Sequence, residues 1–283
     1  MLWPEFNWSR KQTTRFFSSI SSCIYAFVDD PYAVHYFGSM VLIEDFDLTE
    51  CVRSVDRYAM PTRICTVVDG LNRLTIFAVI GCLLYRRFSV LRHALASQEH
   101  TAMCNRIDVL QESLLKTFSC EVRGARPQCK PIFVHGRSDF WGDGDNCYKS
   151  SASNYLAESL SALWNEEPAP KVLHSEPFLF LVTSISNWLE SIITAQDSTA
   201  CPTVWQIRSG LHWIDPQLFT EGAIAVAAAN PTDSIAVHIV SFMKLFALTH
   251  TLLQRCCFTV VTPTMPSASS TILSVYDELI RYP

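Results

Sequence analysis

The amino-acid sequence predicts an α+β fold in which a small sheet carries a large helical lobe. Three observations support this class. Runs rich in β-branched and aromatic residues at 36–44 and 63–68 come early in the chain, and a similar run at 257–262 comes late. The residues between them follow the helical period instead. We therefore expect the late strand to return to the sheet that the first two begin, with the intervening residues forming the lobe.

The composition is that of an ordered chain with a sizeable core. Of 283 residues, 49% are hydrophobic and 17% are charged, a composition that is not typical of disordered chains. The net charge of −5 gives no overall basic footprint for nucleic acid, so a contact with DNA would come from a local patch or from a partner. The 11 cysteines lack CxxC spacing, which argues against a zinc site and favours buried free thiols.

The first predicted helix begins after Trp8 and Ser9, a plausible helix entry. Its apolar face repeats at helical spacing and consists of Phe16, Phe17, Ile20, Ile24 and Phe27. The two early strands follow at 36–44 and 63–68. Valines at 67, 68, 260 and 261 give the second early strand and the late strand the β-branched character of buried central strands.

Asp69-Gly70 ends the second strand, and a helix is predicted directly after this turn. Its helical stripe, which we expect to face the core, consists of Leu74, Phe77, Ala78, Gly81, Leu84 and Tyr85. Arg86 and Arg87 follow the stripe. We expect both to reach solvent at the end of the helix, where the helix dipole favours cations.

Helical patterns dominate the remainder of the chain. Helices are predicted at 89–119, 151–164, 178–195, 216–229, 233–255 and 272–280, and 124–149 is predicted as a loop region around a short strand at 131–134. The expected organisation has three parts: a core at 1–88 that contains the Asp-Gly motif, a helical lobe at 89–256, and a strand and helix at 257–283 that return to the core.

The sequence pattern does not predict a membrane-spanning segment. Residues 1–10 lack the apolar core of a signal peptide. The longest apolar run, 74–85, is flanked by arginines and is shorter than the roughly 20 residues that span a bilayer. We therefore expect a soluble, cytoplasmic or otherwise intracellular protein without a membrane partner.

The clearest candidate site is the run from Asp69 to Thr75, where a strand turns into a helix. Free backbone N–H groups and the positive end of the helix dipole meet there, which suits an anion. Arg73 falls in the first helical turn, where a bound phosphate would relieve its conflict with the dipole. Asp69 could hold a metal ion or a ribose hydroxyl. Alternatively, Asp69 caps the helix and Arg73 forms a salt bridge with it or lies at the surface.

Other polar motifs are weaker. The aspartate-rich run 139–146 lacks the closing Glu of a calcium loop and is predicted to be a solvated turn. His135 and His174 stand without ligand partners at helical spacing, which favours packed or exposed residues over metal ligands.

Five stretches in order resemble one known family. The run 66–75 (TVVDGLNRLT) is similar to the Asp-Gly-Gln-Gln-Arg-Leu-Thr signature of the N-terminal domain of the GmrSD restriction endonucleases, also described as domain of unknown function 262. The other stretches are FNW at 6–8, YFGSMV at 36–41, the DFW, YKS and YL segments between 139 and 156, and the segment from 246 to 261 with VYD at 275–277. The resemblance spans nearly the whole chain.

The resemblance implies a ParB/sulfiredoxin-like core with a helical insertion that binds and hydrolyses a nucleoside triphosphate with Mg²⁺. Carried over by position, Asp69, Gly70, Arg73 and Thr75 match the nucleotide signature, and Asn72 keeps an amide where the family has glutamine. Asp69 and Arg73 would then be the catalytic residues. The family's domain regulates an HNH-type nuclease that attacks modified or foreign DNA, so the implied partners are a nuclease domain or subunit and, through it, DNA.

Several positions depart from the family pattern. Leu71 replaces a glutamine and cannot hydrogen-bond through its side chain, Trp3 and Pro4 stand where the family has Gln-Arg, and no HNH segment is recognisable. Each charge-assisted hydrogen bond lost to a phosphate costs about 1.5–3 kcal/mol. Two functions follow: a nucleotide-binding regulatory domain of a defence system that lacks its own nuclease, or a non-catalytic structural or interaction protein that kept only the fold.

Overall fold

The computed structural model describes residues 6–30, 32–44, 65–121, 128–135, 148–169, 176–194, 204–220 and 234–262. The helices of these residues are α1 (Arg10–Asp29), α2 (Leu71–Ala96), α3 (Thr101–Phe118), α4 (Ser151–Trp164), α5 (Glu176–Thr194), α6 (Val204–Ile214) and α7 (Ser234–His250), and a π-helical turn (Thr251–Arg255) follows α7. The strands are β1 (His35–Glu44), β2 (Cys65–Asp69), β3 (Ser119–Glu121), β4 (Cys129–Pro131) and β5 (Cys256–Val261). The mixture is α+β, as predicted.

Helix α1 begins where the sequence places it. The backbone N–H of Ser9 donates to Gln12 Oε1 at 2.8 Å, and the backbone N–H of Gln12 donates to Ser9 Oγ at 3.4 Å. This reciprocal pair forms a capping box that satisfies two otherwise free N–H groups. The five apolar residues of the predicted face are all buried, so this helix is confirmed.

The main sheet has the strand order β2-β1-β5. Strand β1 pairs antiparallel with β2, with Leu42 opposite Val67, and parallel with β5, with Met40 opposite Val260. The prediction that 257–262 joins the same sheet as 63–68 is therefore confirmed over the described parts of these runs.

The expected burial of the two outer strands is wrong. Val260 and Val261 are 50% and 41% exposed, and β1 is the strand that lies between the other two. A β-branched composition indicates a good fit to a pleated surface, which a flanking strand offers as well as a central one. Composition could therefore identify the strands without fixing their order.

The core face of α2 is confirmed. Phe77 is 4% exposed, and Ala78, Gly81 and Leu84 are buried with it. The prediction for the two arginines is half wrong. Arg87 reaches solvent and pairs with Glu190 at 2.5 Å, whereas Arg86 is only partly exposed and its Nη2 is buried. The reason is that α2 continues to Ala96, with no glycine or proline to stop it, so these residues lie within the helix.

Other element boundaries also differ from prediction. The segment predicted as one helix at 89–119 is the last turns of α2 and the separate helix α3, joined by a turn in which Glu99 has a φ of 63°. The strand predicted at 131–134 lies slightly earlier, as β4, which pairs with β3. Helix α4 matches its predicted bounds, α5 and α7 match within about two residues at their starts, and α6 was not predicted.

Several predictions fall outside the described residues. These are the helix at 272–280, most of the helix at 216–229, the aspartate-rich run at 139–146, His174, and the Trp3-Pro4 pair. Within the described residues, 216–219 form a turn. The division into three parts stays a prediction, and its boundary between residues 88 and 89 lies inside the continuous helix α2.

Two helical segments are long and apolar enough to cross a membrane by length and composition alone, Leu71–Ala96 and Ile235–Arg255. The arginines at 86 and 87 interrupt the apolar run of the first segment but not its helix, which explains why the sequence pattern appeared too short. Most of each segment is buried within the protein, and a core helix of a soluble protein passes the same test. The cytoplasmic location stays a prediction.

The structure predicts a loss of stability in acid through His250, at the end of α7. Burial, followed by the charges of Arg255 and Arg106, lowers the pKa of His250 from 6.5 to about 4. Between pH 6.5 and about pH 4, His250 is protonated in the unfolded chain and neutral in the folded protein. Its contribution to the free energy of unfolding is therefore complete above pH 6.5 and is lost as the pH drops towards 4. Urea unfolding midpoints at pH 7 and pH 5 measure the drop.

His250→Gln should reduce this drop because glutamine does not titrate. The matched control is His212→Gln, which makes the same substitution at an exposed histidine on α6. An unchanged pH dependence in His250→Gln would contradict the assignment.

Candidate functional site

The candidate site begins at the turn between β2 and α2. Gly70 has a φ of 102°, in the left-handed region, and forms the N-cap of α2. A Cβ added at Gly70 would lie 2.7 Å from Met40 Cγ on β1. The turn is therefore packed closely against the central strand, and glycine suits it through both its φ and its small size.

Arg73 connects this turn to β1. Its Nη2 donates to Asp69 Oδ2 at 2.8 Å, and its Nη1 donates to the Phe37 carbonyl oxygen at 2.9 Å. The predicted alternative of an Asp69–Arg73 salt bridge is thus confirmed, whereas the prediction that Asp69 caps the helix is wrong, because Gly70 is the N-cap of α2 and no side chain makes a cap hydrogen bond there. The Arg73 side chain is only 15% exposed, so the further expectation of a surface-facing arginine is wrong. The guanidinium turns back over the sheet because β1 offers it a carbonyl.

Gly38 makes room for this arginine. Its φ is 98°, and a Cβ at this position would collide with Arg73 Nη1. The pairing of β1 with β5 shifts register between Tyr36 and Ser39, so the glycine lies at an irregularity of the strand. The sequence signal for this contact is a glycine inside a strand pattern, which by itself does not point to Arg73.

An open cleft of about 280 Å³ lies beside Arg73, between α1 and the start of β1. Its lining combines two arginines, other polar side chains and aromatic rings: Trp8, Gln12, Arg15, Phe16, Ser19, His35, Tyr36, Phe37 and Arg73. Of the five predicted site residues, only Arg73 lines this cleft. The contributions of α1 could not be found by local motif, since they depend on how α1 packs on the sheet.

Tyr36 places its hydroxyl group at the cleft, next to Ser39. Tyr36 is 56% exposed, and its hydroxyl lies 2.9 Å from Ser39 Oγ. Hydrogen bonds with Ser39 and Thr259 are the main causes that lower the pKa of Tyr36, and the charge of Arg73 makes a smaller contribution in the same direction.

Asp69 is suited to share a magnesium ion with a bound phosphate chain. Its side chain is 42% exposed, and Arg73 engages Oδ2. No cluster of three or more His, Cys, Asp or Glu side chains that could hold a metal occurs in the described part of the chain. Magnesium is commonly held by one or two carboxylates together with phosphate oxygens and water, so a single aspartate fits that mode of binding.

Asn72 uses its amide to hold the N-terminal segment. Its Nδ2 donates to Asn7 Oδ1 at 2.5 Å, and the backbone N–H of Asn7 lies 3.5 Å from Asn72 Oδ1. This pair joins the residues before α1 to the first turn of α2. Both side chains are partly or largely exposed, so the amide also remains close to solvent.

Thr75 lies behind the site. It is fully buried, its Oγ1 donates to the Leu71 carbonyl at 2.8 Å, and the same oxygen is 2.6 Å from His135 Nε2. The His135 backbone N–H in turn donates to Ser153 Oγ at 2.6 Å. Thr75 thus links α2 to α4, and His135 is a packed histidine, as predicted.

Gly38→Ala should destabilise the protein by about 1–3 kcal/mol, because alanine is strained at this φ and its methyl group displaces Arg73. Chemical denaturation measures the change. Ser39→Ala is the matched control: it changes the next residue of β1, which does not have a positive φ, and removes one exposed hydrogen bond. Equal stability of the two variants would contradict the role given to Gly38.

No family model matches this sequence, and no curated protein matches it at a significant level. The resemblance to the GmrSD N-terminal domain therefore stays an expectation drawn from the ordered motifs.

Proposed function

We propose that this protein is a ParB-like, nucleotide-binding regulatory domain of the type found in GmrSD restriction systems. It binds a nucleoside triphosphate in the cleft beside Arg73. The observation that carries the proposal is the fixed arginine at an aromatic, positively charged cleft. A nuclease subunit, and DNA through it, are the partners that this function implies, in an intracellular setting.

The guanidinium of Arg73 is held in advance of ligand binding. Asp69 and the Phe37 carbonyl take one donor from each of its two terminal nitrogens. Arginine has five N–H donors in a planar fork, so donors remain for phosphate oxygens. An already ordered side chain loses less conformational entropy when it binds, which favours affinity.

The surroundings of Arg73 suit the remainder of a nucleotide. Helix α2 starts at Leu71, and its first turn offers free backbone N–H groups and the positive end of the dipole to a phosphate. The rings of Trp8 and Tyr36 line the cleft and provide flat surfaces for a base. Asp69 would bind the Mg²⁺ that accompanies the phosphates. The bound ion supplies charge neutralisation of the phosphate chain.

Hydrolysis of the bound nucleotide, with Asp69 and Arg73 as its catalytic residues, is a further part of the proposal. The release of inorganic phosphate in the presence of Mg²⁺ tests it directly. Gly70 contributes by its conformation, and Asn72 by holding residues that precede α1.

A second function, a structural or protein-interaction domain without nucleotide chemistry, is favoured by a different observation. Arg73 already has two protein partners, and Asn72 pairs with Asn7. Each of these side chains is therefore satisfied in a purely structural role. Leu71 adds nothing polar. The two functions differ in one measurable property, which is affinity for nucleotides.

Isothermal titration with ATP, GTP, CTP and UTP, with and without Mg²⁺, decides between them. We expect binding in the micromolar range or tighter for at least one nucleotide, stronger with Mg²⁺. Absence of binding by the wild-type protein at millimolar nucleotide overturns the proposal and leaves the interaction domain as the function.

Arg73→Ala should weaken nucleotide binding by tenfold or more, and it should also lower the free energy of unfolding by about 1–3 kcal/mol, because it removes the part-buried hydrogen bond to the Phe37 carbonyl oxygen. Arg73→Lys should recover part of both losses, since an ammonium cannot make the two-pronged contact. The control for nucleotide binding is Arg87→Ala, which removes a half-exposed arginine from the same helix together with its ion pair to Glu190. A folded Arg73→Lys variant with wild-type affinity would exclude direct phosphate contact by this side chain.

A further inference from the structure

We infer that Arg15, on α1, is the second phosphate-binding side chain of the cleft that Arg73 also lines. This inference rests on the proposed nucleotide-binding function and names a residue that the motif at 66–75 does not contain. The ligand class that the pair selects is a polyphosphate chain attached to an aromatic base.

Helical spacing places Arg15 on the wall of the cleft. Gln12, Arg15, Phe16 and Ser19 all line the cleft, and they are separated by three or four residues, which puts them on one face of α1. Phe16 anchors this face: its ring packs edge-on against Phe37 of β1, with centroids 5.2 Å apart. The position of Arg15 relative to the sheet is therefore fixed by a core contact.

Arg15 is the polar side chain of this wall that remains available for a ligand. Gln12 is engaged in the capping box of α1, and Ser19 Oγ donates to the Arg15 carbonyl oxygen at 3.2 Å. The ion pairs found among the described residues do not include Arg15, and its side chain is exposed. An uncompensated cation thus lines the same cleft as an arginine that is held in place by two protein contacts.

Arg73 and Arg15 differ in how far acidic partners compensate their charges, and this difference indicates the chemistry of the ligand. Arg73 is largely neutralised by Asp69, so a single phosphate near it would gain modest electrostatic stabilisation. Arg15 adds a positive charge to the same cleft from α1, and the ion pairs among the described residues do not include it. A chain of several phosphates can contact both guanidiniums at once, whereas a single phosphate group makes fewer such contacts.

Aromatic rings next to the two arginines provide the place for a base. Trp8 lines the cleft and packs edge-on against Phe16, with centroids 5.3 Å apart. Tyr36 lines the cleft from β1. A nucleoside polyphosphate can therefore use charge and ring contacts together, which inorganic tripolyphosphate cannot. The two ligands separate these contributions.

The test compares wild type, Arg15→Ala, Arg15→Lys and the control Lys11→Ala by titration with the tightest-binding nucleoside triphosphate and with tripolyphosphate. Lys11 is exposed on the neighbouring turn of α1 and does not line the cleft, so its removal changes net charge equally. We expect Arg15→Ala to weaken binding of both ligands by about tenfold. Lys11→Ala should stay within about twofold of wild type because exposed charges outside the contact are screened by salt.

The dependence of affinity on salt concentration provides a readout that a purely structural role would not alter. Affinity should fall less steeply with salt in Arg15→Ala than in wild type, because one ionic contact is missing, and Arg15→Lys should keep the wild-type slope with part of the affinity. Thermal unfolding should match wild type in each variant, since Arg15 is exposed and outside the ion pairs described above.

The outcomes distinguish the two proposals. Binding by wild type that is unaffected by Arg15→Ala, or reduced equally by Lys11→Ala, overturns the role of Arg15 and leaves nucleotide binding intact. Binding of tripolyphosphate that equals binding of the nucleotide overturns the base contact. A wild-type protein that binds neither ligand overturns the proposed function itself, and the inference falls with it.

Discussion

The arrangement of the site depends on the two hydrogen bonds that the Arg73 guanidinium donates to Asp69 and to the Phe37 carbonyl oxygen. They join the central strand to the turn that starts α2, so strand, turn and helix keep a fixed relation. The guanidinium fits at this position because Gly38 carries no side chain and adopts a φ that other residues avoid. A positive charge with little exposure is tolerated there because a carboxylate and a carbonyl both accept hydrogen bonds from it.

A cluster of aromatic rings lies beneath the Arg73 guanidinium and supports the strands and helices around it. Phe37 and Phe77 pack edge to face with centroids 5.4 Å apart, Phe16 contacts both, and Phe258 of β5 contacts Phe77 at 5.5 Å. Rings from α1, α2, β1 and β5 therefore share one cluster, and such pairs contribute about 0.5–1.5 kcal/mol each beyond the area that they bury. The cleft lies on this cluster, so its walls are positioned by the core of the protein.

The same residue thus serves the fold and the proposed ligand. Three residues of the 66–75 run have structural roles: Gly70 shapes the turn, Arg73 ties it to β1, and Thr75 links α2 to α4 through His135 and Ser153. Matching residues in a motif therefore argue for a shared fold first. Arg15 bears more directly on the proposed ligand, because the ion pairs among the described residues do not include it.

Local patterns in the sequence determined those helices and strands in which buried residues recur at a regular spacing. The apolar face and capping residues of α1, the bounds of α4, and the buried stripe of α2 follow from helical period and cap chemistry, which act over a few residues. The β-branched run at 257–262 likewise identified a strand that joins the early sheet. Tertiary structure alone decided that β1 lies between β2 and β5, that Arg86 is drawn inward, that Asn72 holds Asn7, and that Arg15 meets Arg73 at a cleft. These relations join residues far apart in the chain, and a local period carries no information about which distant surface a side chain will meet.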